Sequence, residues 1–316
     1  IFKDCDSVVQ KSFQNTLLGM IHSLSIKLDL KSHPYVSSVL FHLPKGTRVG
    51  GLLALKGGDK PRPLLIFRMG VFSNAHEFFA ERSFFIQWFE QSGFNVLLLE
   101  SSTGTDYVDR NLNFEFGGLE EGLQNIYIAK KLQDPTQPIS KYISEIHLAG
   151  ISFGGQGVMV ANYINDLQEK PIIKSTIGIC PLIDLPATFE KIQAGWMESQ
   201  ITNLWTKGRL KSLVQRNGWQ KRKDILPALL DQQEKKYKGV VANDWPGIEL
   251  PNFQFISYRT ANDVKNWKLA QKTPLSILWT KNDLLVDPKI NVRQIELAQT
   301  MVEDTNKLST KPLEAA

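Results

Sequence analysis

The sequence has few cysteines and no long apolar run, and both absences exclude classes of protein. Only two of its 316 residues are cysteines, Cys5 and Cys180, which excludes a disulfide framework, and no zinc-ligand spacing is present. No apolar run approaches the roughly 20 residues that a membrane-spanning helix needs. The net charge of +5 is too small to indicate a nucleic-acid partner. The composition is typical of a soluble globular chain.

The sequence also lacks the motifs that hold common cofactors. It has no Gly-x-x-x-x-Gly-Lys for phosphates, no dinucleotide fingerprint on the first strand and no metal-ligand cluster, so no cofactor and no metal are expected. Gly117, Gly118 and Gly122 precede or open a helix, and we interpret them as turn and packing glycines. The chain begins at Ile1, which is compatible with a removed signal peptide as well as with a missing start. The sequence is therefore compatible with a cytoplasmic location and with an exported one.

The most informative segment is a Gly-x-Ser-x-Gly motif, Gly150-Ile151-Ser152-Phe153-Gly154, between an apolar strand-like run and a helix-like run. This setting is typical of a nucleophile elbow, a turn so tight that glycine is needed two residues before and after the serine. The elbow holds the serine in strained backbone with its hydroxyl above the sheet. The alternative is an ordinary tight turn in which Ser152 caps the next helix.

Strand-like and helix-like segments alternate along the chain, which predicts an α/β fold with a mostly parallel central sheet flanked by helices. We predict an N-terminal helical segment over residues 1–30 and an α/β core over residues 31–185 and 271–316. Besides the run before the serine, the predicted strands are residues 36–43, 49–55, 64–67, 95–99, 176–180 and 275–279.

Two regions depart from this alternation. Residues 186–270 hold helical stretches without a strong strand, and an insertion there would cover the carboxyl ends of the strands as a helical lid. The alternative is a helical layer packed elsewhere. After a helix predicted at 291–302, residues 307–316 show no strand-like run, so the last strand of the core is expected to be missing.

A serine nucleophile needs a base, and the base needs an orienting acid, in the chain order Ser, Asp or Glu, His. Asp283 follows a strand-like run in an Asp-x-x-Val-x-Pro setting and is the predicted acid. Asp287 is the second candidate, although an Asp before Pro usually starts a turn or caps a helix. The oxyanion hole is predicted to use the backbone N–H of Phe153 and that of Val71 or Phe72, in the loop after the third strand.

The base is not found where it is expected, because all five histidines precede Ser152. His76 lies beside the predicted oxyanion hole and is the candidate substitute base, although a polar residue near a helix start is the more ordinary interpretation. His147 is expected to lie in the sheet below the site. The catalytic histidine therefore lies beyond residue 316 or has been lost. The other histidines, all in early segments, are His22, His33 and His42.

Together these segments resemble the α/β-hydrolase superfamily over residues 40–303, and within it the YheT-like branch. The resemblance implies a serine hydrolase of the carboxylesterase or lipase type, which forms an acyl-enzyme on Ser152 with a small ester or acyl substrate. Where many members have His-Gly after the third strand, this chain has Met69-Gly70. The stretches that resemble the branch are residues 150–155, 171–185, 209–216, 255–261 and the Asn-Asp283 loop.

A second hypothesis is a non-catalytic protein of the same fold that binds a ligand or partner in the same pocket. Retention of Ser152, its flanking glycines and Asp283 favours the enzyme, whereas the missing histidine favours the binding protein. Seven basic residues between Lys207 and Lys223 alternate with apolar ones, which would suit peripheral contact with an anionic membrane or an acidic substrate. A solvated charged face over a packed helix is the more common arrangement. The sequence leaves the oligomeric state open and does not separate hydrolysis from acyl transfer.

Overall fold

The structure is a computed structural model, and it covers most of the α/β core. The helices predicted at 1–30 and beyond residue 292, and most of the insertion at 186–270, lie outside the described residues. The residues described are 30, 33–58, 60–76, 79–113, 118–195, 200, 204, 206–221, 225, 228, 245–248, 272–280, 283, 286–292 and 308–313.

The described residues form one eight-stranded sheet. Its strands are β1 (Val36–His42), β2 (Arg48–Ala54), β3 (Arg62–Arg68), β4 (Asn95–Leu99), β5 (Ile143–Ile151), β6 (Ile173–Ile179), β7 (Leu275–Thr280) and β8 (Leu308–Leu313). They lie in the order β1-β2-β4-β3-β5-β6-β7-β8. Only the β1–β2 and β2–β4 pairs are antiparallel. The predicted mostly parallel sheet is confirmed.

Helices cover both faces of this sheet at its centre, which explains why β3 and β4 read as nearly continuous apolar runs. On β3, Ile66 packs in one cluster with residues of α3 and α4, whereas Phe67 packs in another with Phe85 and Phe89 of α1. No helix among the described residues is long and apolar enough to cross a membrane. The helices are α1 (Phe79–Ser92), α2 (Thr105–Asn111), α3 (Gly118–Gln133), α4 (Phe153–Leu167), α5 (Leu185–Ala194) and α6 (Lys211–Arg216).

Glycines allow α3 and α4 to pack closely. A Cβ on Gly118 or Gly122 would come within 2.8 Å of the Val160 side chain, and one on Gly122 would also lie 3.1 Å from the backbone nitrogen of Ala161. The interpretation of these two residues as packing glycines is confirmed, and Gly117 lies outside the described residues. This packing fixes α4, and with it the residue at its start, against the sheet.

The expectation that the last strand is missing is wrong. β8 pairs in parallel with β7, from Leu275 opposite Leu308 to Thr280 opposite Leu313. The strand was missed because its sequence, Leu-Ser-Thr-Lys-Pro-Leu, contains a proline and three polar residues, which argue against a strand when read alone. β8 is the edge strand of the sheet, where proline and lysine are tolerated because one side needs no partner.

Candidate active site

Ser152 occupies the turn between β5 and α4 in strained backbone. Its φ is 54° and its ψ is −116°, a conformation that costs an L-residue free energy and is found mainly at functional sites. The turn is held on both sides: the Ser152 N–H donates to the Ile179 carbonyl at 2.8 Å, and its carbonyl accepts from the N–H groups of Gln156 and Leu182 at 3.2 Å each. The backbone around the serine is therefore fixed by the end of β6 as well as by its own helix.

The two motif glycines are required by backbone contacts. A Cβ on Gly150 would overlap the carbonyl of Gly154, and one on Gly154 would overlap the carbonyls of Arg68 and Met69 at the end of β3. The second overlap involves the neighbouring strand, so Gly154 allows α4 to begin directly against β3. These contacts explain why both flanking positions of the Gly-x-Ser-x-Gly motif must be glycine.

The alternative in which Ser152 merely caps α4 is wrong. Ser152 does stand at the N-cap position, but its side chain makes no capping hydrogen bond to the first turn of the helix, all of which is described. A capping serine normally accepts a bond from the second or third N–H of its helix. The hydroxyl is thus not used in the way that most often explains a serine before a helix.

The loop after β3 lies directly beside the serine. A Cβ on Gly70 would be only 3.5 Å from Ser152 Cβ. Two residues later Phe72 has a φ of 62°, and its N–H donates to Thr103 Oγ1 at 2.7 Å. This bond occupies the Phe72 N–H, one of the two N–H groups in this loop that the sequence predicted as an oxyanion donor.

Phe153 is the first residue of α4 and is fully buried. The first N–H groups of a helix have no partner within the helix and lie at the positive end of its dipole. An oxyanion forming next to Ser152 would therefore meet a favourable field.

Asp283 lies in the loop after β7, at the same edge of the sheet. Its side chain is half-buried, and Oδ1 accepts the N–H of Val286 at 2.9 Å. Val286 belongs to the apolar cluster that also contains Phe72 and Phe153. The loop that carries the predicted acid is therefore packed with the two segments that flank the serine.

Asp287, the second candidate acid, has a structural role. Its Oδ2 accepts from Lys191 Nζ at 2.5 Å, and its Oδ1 accepts from the Lys289 N–H at 2.8 Å. Its carbonyl accepts from the N–H groups of Ile290 and Asn291 at 3.1 and 3.0 Å. Partial burial raises the pKa of this carboxyl, but the hydrogen bonds and charges of Lys191 and Lys289 outweigh it, so the pKa lies below its ordinary value. Asp287 thus behaves as an Asp before Pro usually does, because it accepts hydrogen bonds from the start of the helix that follows it.

This pairing predicts a pH-dependent stability for the Asp287→Asn variant. A lowered pKa in the folded state stabilises the protein above the unfolded pKa, about 3.9, and that contribution declines as the pH falls below it. We expect the variant to be less stable than wild type by up to about 1 kcal/mol at neutral pH, because the pair is partly exposed. The difference should shrink as the pH falls through the pKa of the folded state. Urea unfolding at several pH values measures it. A difference that grows as the pH falls would contradict the assignment.

Asn291 is a structural residue that sequence reasoning missed. It is fully buried; its Oδ1 accepts from the N–H groups of Ile183 and Asp184 at 2.7 and 2.9 Å, and its Nδ2 donates to the Asp287 carbonyl and to Thr188 Oγ1 at 3.1 Å each. One amide therefore ties the loop after β6 to the loop after β7. No local pattern marks such a residue, because its four partners are distant in sequence or on the backbone.

The described histidines are spread around the fold. His147 lies within β5, half-buried between Ser175 Oγ at 2.8 Å and Glu145 Oε1 at 3.2 Å, as predicted for a residue in the sheet. His33 pairs with Glu90. His42 ends β1, four strand positions from β5, or roughly 19 Å at the usual strand spacing. His76 lies exposed in the loop after β3, and His22 is outside the described residues.

Part of the insertion packs over the carboxyl ends of the strands. Leu210, Leu213 and Val214 are buried in the same apolar cluster as Phe72 and Phe153. The segment is also tied to α2, where Thr105 Oγ1 donates to the Arg209 carbonyl at 3.1 Å and Ser212 Oγ donates to Asp109 Oδ1 at 2.5 Å. These three apolar side chains therefore face the protein, whereas Lys211, Arg216 and Lys221 are exposed, as is the apolar Leu204.

Comparison with known proteins identifies the fold. No family model and no curated protein matches the chain. Among solved structures, an esterase of Pyrococcus furiosus has a TM-score of 0.52 and 14% identity, over 89% of this chain and 83% of that chain. A lipase/esterase of Lactobacillus plantarum has a TM-score of 0.52 and 13% identity, over 88% of this chain and 87% of that chain.

A puromycin-hydrolyzing peptidase of Mycobacterium tuberculosis is also similar, with a TM-score of 0.52 and 14% identity, over 89% of this chain and 36% of that chain. At these identities the likeness concerns the fold. The chain has the α/β-hydrolase fold, with a mostly parallel sheet flanked by helices, as the sequence predicted.

Proposed function

We propose that this protein is a serine hydrolase of the carboxylesterase or lipase type, which forms an acyl-enzyme on Ser152. The observation that carries the proposal is the strained conformation of Ser152, at φ 54°, combined with a side chain that does not cap its helix. A protein that only binds a ligand gains nothing from holding a serine in a costly conformation.

In the proposed reaction Ser152 Oγ attacks the carbonyl carbon of an ester while a base takes the hydroxyl proton. The carbonyl oxygen becomes an oxyanion, which the N–H groups of Phe153 and Val71 stabilise. Collapse of this intermediate releases the alcohol, which takes the proton from the base. Water then attacks the acyl-enzyme by the same steps and frees Ser152. Asp283 orients the base throughout.

We propose that the base is a histidine in the segment that follows β8. Thr280 and Leu313 end β7 and β8 opposite each other, so the chain continues from neighbouring positions at the same edge of the sheet. Asp283 is three residues past Thr280, and a histidine shortly after Ala316 would come from the neighbouring position. His76 is the competing candidate, because it lies in the loop that flanks Ser152.

The insertion at 186–270 is proposed to act as a lid. Its buried residues Leu210, Leu213 and Val214 share a cluster with the segments on both sides of Ser152, so movement of this segment would uncover an apolar surface next to the nucleophile. Such a surface suits the acyl part of an ester. The YheT-like branch is proposed from sequence alone, on stretches such as residues 150–155 and 171–185.

The test is labelling with a fluorophosphonate, which reacts with activated serines. We compare the 316-residue chain, its Ser152→Ala and His76→Ala variants, and a chain extended by the residues that follow in the longest reading frame. Labelling that requires the extension and is lost in Ser152→Ala supports the proposal and the base after β8. Labelling of the 316-residue chain that is lost in His76→Ala assigns the base to His76.

No labelling of either chain would contradict the hydrolase proposal. The protein would then be the alternative, a non-catalytic protein of the α/β-hydrolase fold that binds a ligand.

A further inference from the structure

A chain of buried hydroxyl groups leads from a carboxylate to the oxyanion loop. Thr103 Oγ1 accepts the Phe72 N–H at 2.7 Å and lies 2.8 Å from Ser101 Oγ. Ser101 Oγ in turn donates to Glu121 Oε1 at 3.4 Å, and the same oxygen accepts the N–H and the hydroxyl of Ser102 at 2.8 Å each. Thr103 and both serines are fully buried.

The carboxylate sets the direction of this chain, because an ionised Glu121 can only accept. Ser101 donates to Glu121, so its oxygen is left to accept from the Thr103 hydroxyl. The Thr103 oxygen then accepts from Phe72. The 2.8 Å distance between Ser101 Oγ and Thr103 Oγ1 alone allows either oxygen to be the donor; with the Ser101 proton directed to Glu121, the Thr103 hydroxyl donates to Ser101. Ser101 and Glu121 thus orient the Thr103 oxygen that accepts the Phe72 N–H.

A buried arginine accompanies the carboxylate. Arg68 Nη2 lies 3.4 Å from Glu121 Oε1, and both side chains have no exposed area. Within the described part of the chain, Glu121 Oε2 and Arg68 Nε and Nη1 lack hydrogen-bond partners. A buried pair with incomplete bonding is often no more stable than apolar residues of the same size. Stability alone therefore does not account for this pair. Its contact with the chain of hydroxyl groups indicates a role in orienting that chain.

We propose that Thr103 is a positioning residue of the oxyanion hole, whose hydroxyl holds the loop at Phe72 so that the Val71 N–H points to the oxyanion. Phe72 has a φ of 62°, which is unfavourable for a residue with a side chain, and Gly70, two residues earlier, lies against Ser152. Losing the bond at Phe72 removes one of the restraints on the stretch that carries the second donor, beside the bond from the Ser73 N–H to the Gly70 carbonyl at 3.2 Å. This inference rests on the proposed function.

The test compares Thr103→Val, which keeps the shape and removes the acceptor, with Thr103→Ser, which keeps the hydroxyl. Fluorophosphonate labelling over a range of probe concentrations gives the maximal rate, kinact, and the apparent affinity, KI, in the chain that labels. We expect Thr103→Val to lower kinact about 10- to 100-fold. This effect is at most as large as the effect of removing one oxyanion donor itself. KI should stay within about threefold of wild type, and Thr103→Ser should restore most of kinact.

Two further measurements separate the outcomes. Ser101→Ala removes the group that orients Thr103 without touching the loop, so a smaller fall in kinact is expected even if Thr103→Val does not fold. Hydrogen exchange of the peptide containing Phe72 should accelerate in Thr103→Val. A wild-type kinact in Thr103→Val and Ser101→Ala, or a change confined to KI, would overturn the inference while the hydrolase proposal stood. If the wild-type protein is not labelled, both the inference about Thr103 and the hydrolase proposal are overturned.

Discussion

Replacing Ser152 with alanine is expected to lower ester turnover by roughly 10⁴- to 10⁶-fold, the range found when a serine nucleophile is removed. The reason is that the proposed reaction forms its covalent bond at Ser152 Oγ, and the oxyanion donors alone provide only a small residual rate. The measurement is hydrolysis of a p-nitrophenyl acyl ester by whichever chain length the fluorophosphonate labels. The fold should be unaffected, because the Ser152 side chain makes no capping bond to α4.

The matched control is Ser37→Ala, at an exposed position of β1, which should turn over the ester at the wild-type rate. Asp283→Asn should also lose activity, by a smaller factor than Ser152→Ala, because the orienting acid touches the base and not the substrate. Equal turnover by Ser152→Ala and Ser37→Ala would remove Ser152 from the mechanism.

Replacing Gly154 with alanine is expected to destabilise the protein by about 3 kcal/mol or more. The added Cβ would overlap two backbone carbonyls, those of Arg68 and Met69, so relief requires α4 to move away from β3, and such strain is among the few causes of large single-residue effects. Helix propensity predicts the opposite sign, since alanine is better than glycine in a helix by about 1 kcal/mol. Urea unfolding decides between the two.

Gly208→Ala is the matched control for this effect. Gly208 is also helical, but a Cβ there would have no atom within 4 Å, so propensity should act alone and stabilise the protein slightly. Destabilisation at Gly154 with no loss at Gly208 supports the close approach of α4 to β3. Equal effects at both positions would show that the turn has room for a side chain.

The core of the fold was predictable because its signals are local. Strands β3 and β4 are buried on both faces over most of their length, so each reads as a short apolar run. The predicted range 95–99 coincides with β4 (Asn95–Leu99). The elbow was predictable for a similar reason: five consecutive residues carry the constraint, and the structure places Ser152 at the turn they define.

The rest depends on contacts that no local pattern shows. β8 was missed because it lies at an edge of the described sheet, where proline and lysine are tolerated although they argue against a strand in the sequence. Thr103 and Asn291 were missed because their roles come from partners 31 and 108 residues away, Phe72 and Ile183. A hydroxyl or amide of this kind looks like any other polar residue until the fold brings its partners together.

The most direct test of the central claim is to find where an acyl group becomes attached. The chain that labels is mixed with p-nitrophenyl acetate, quenched with acid within its first turnovers, digested and analysed by mass spectrometry. The account predicts one acetyl group on the peptide containing Ser152, absent from the Ser152→Ala variant. An acetyl group on another residue, with Ser152 unmodified while p-nitrophenol is released, would contradict it.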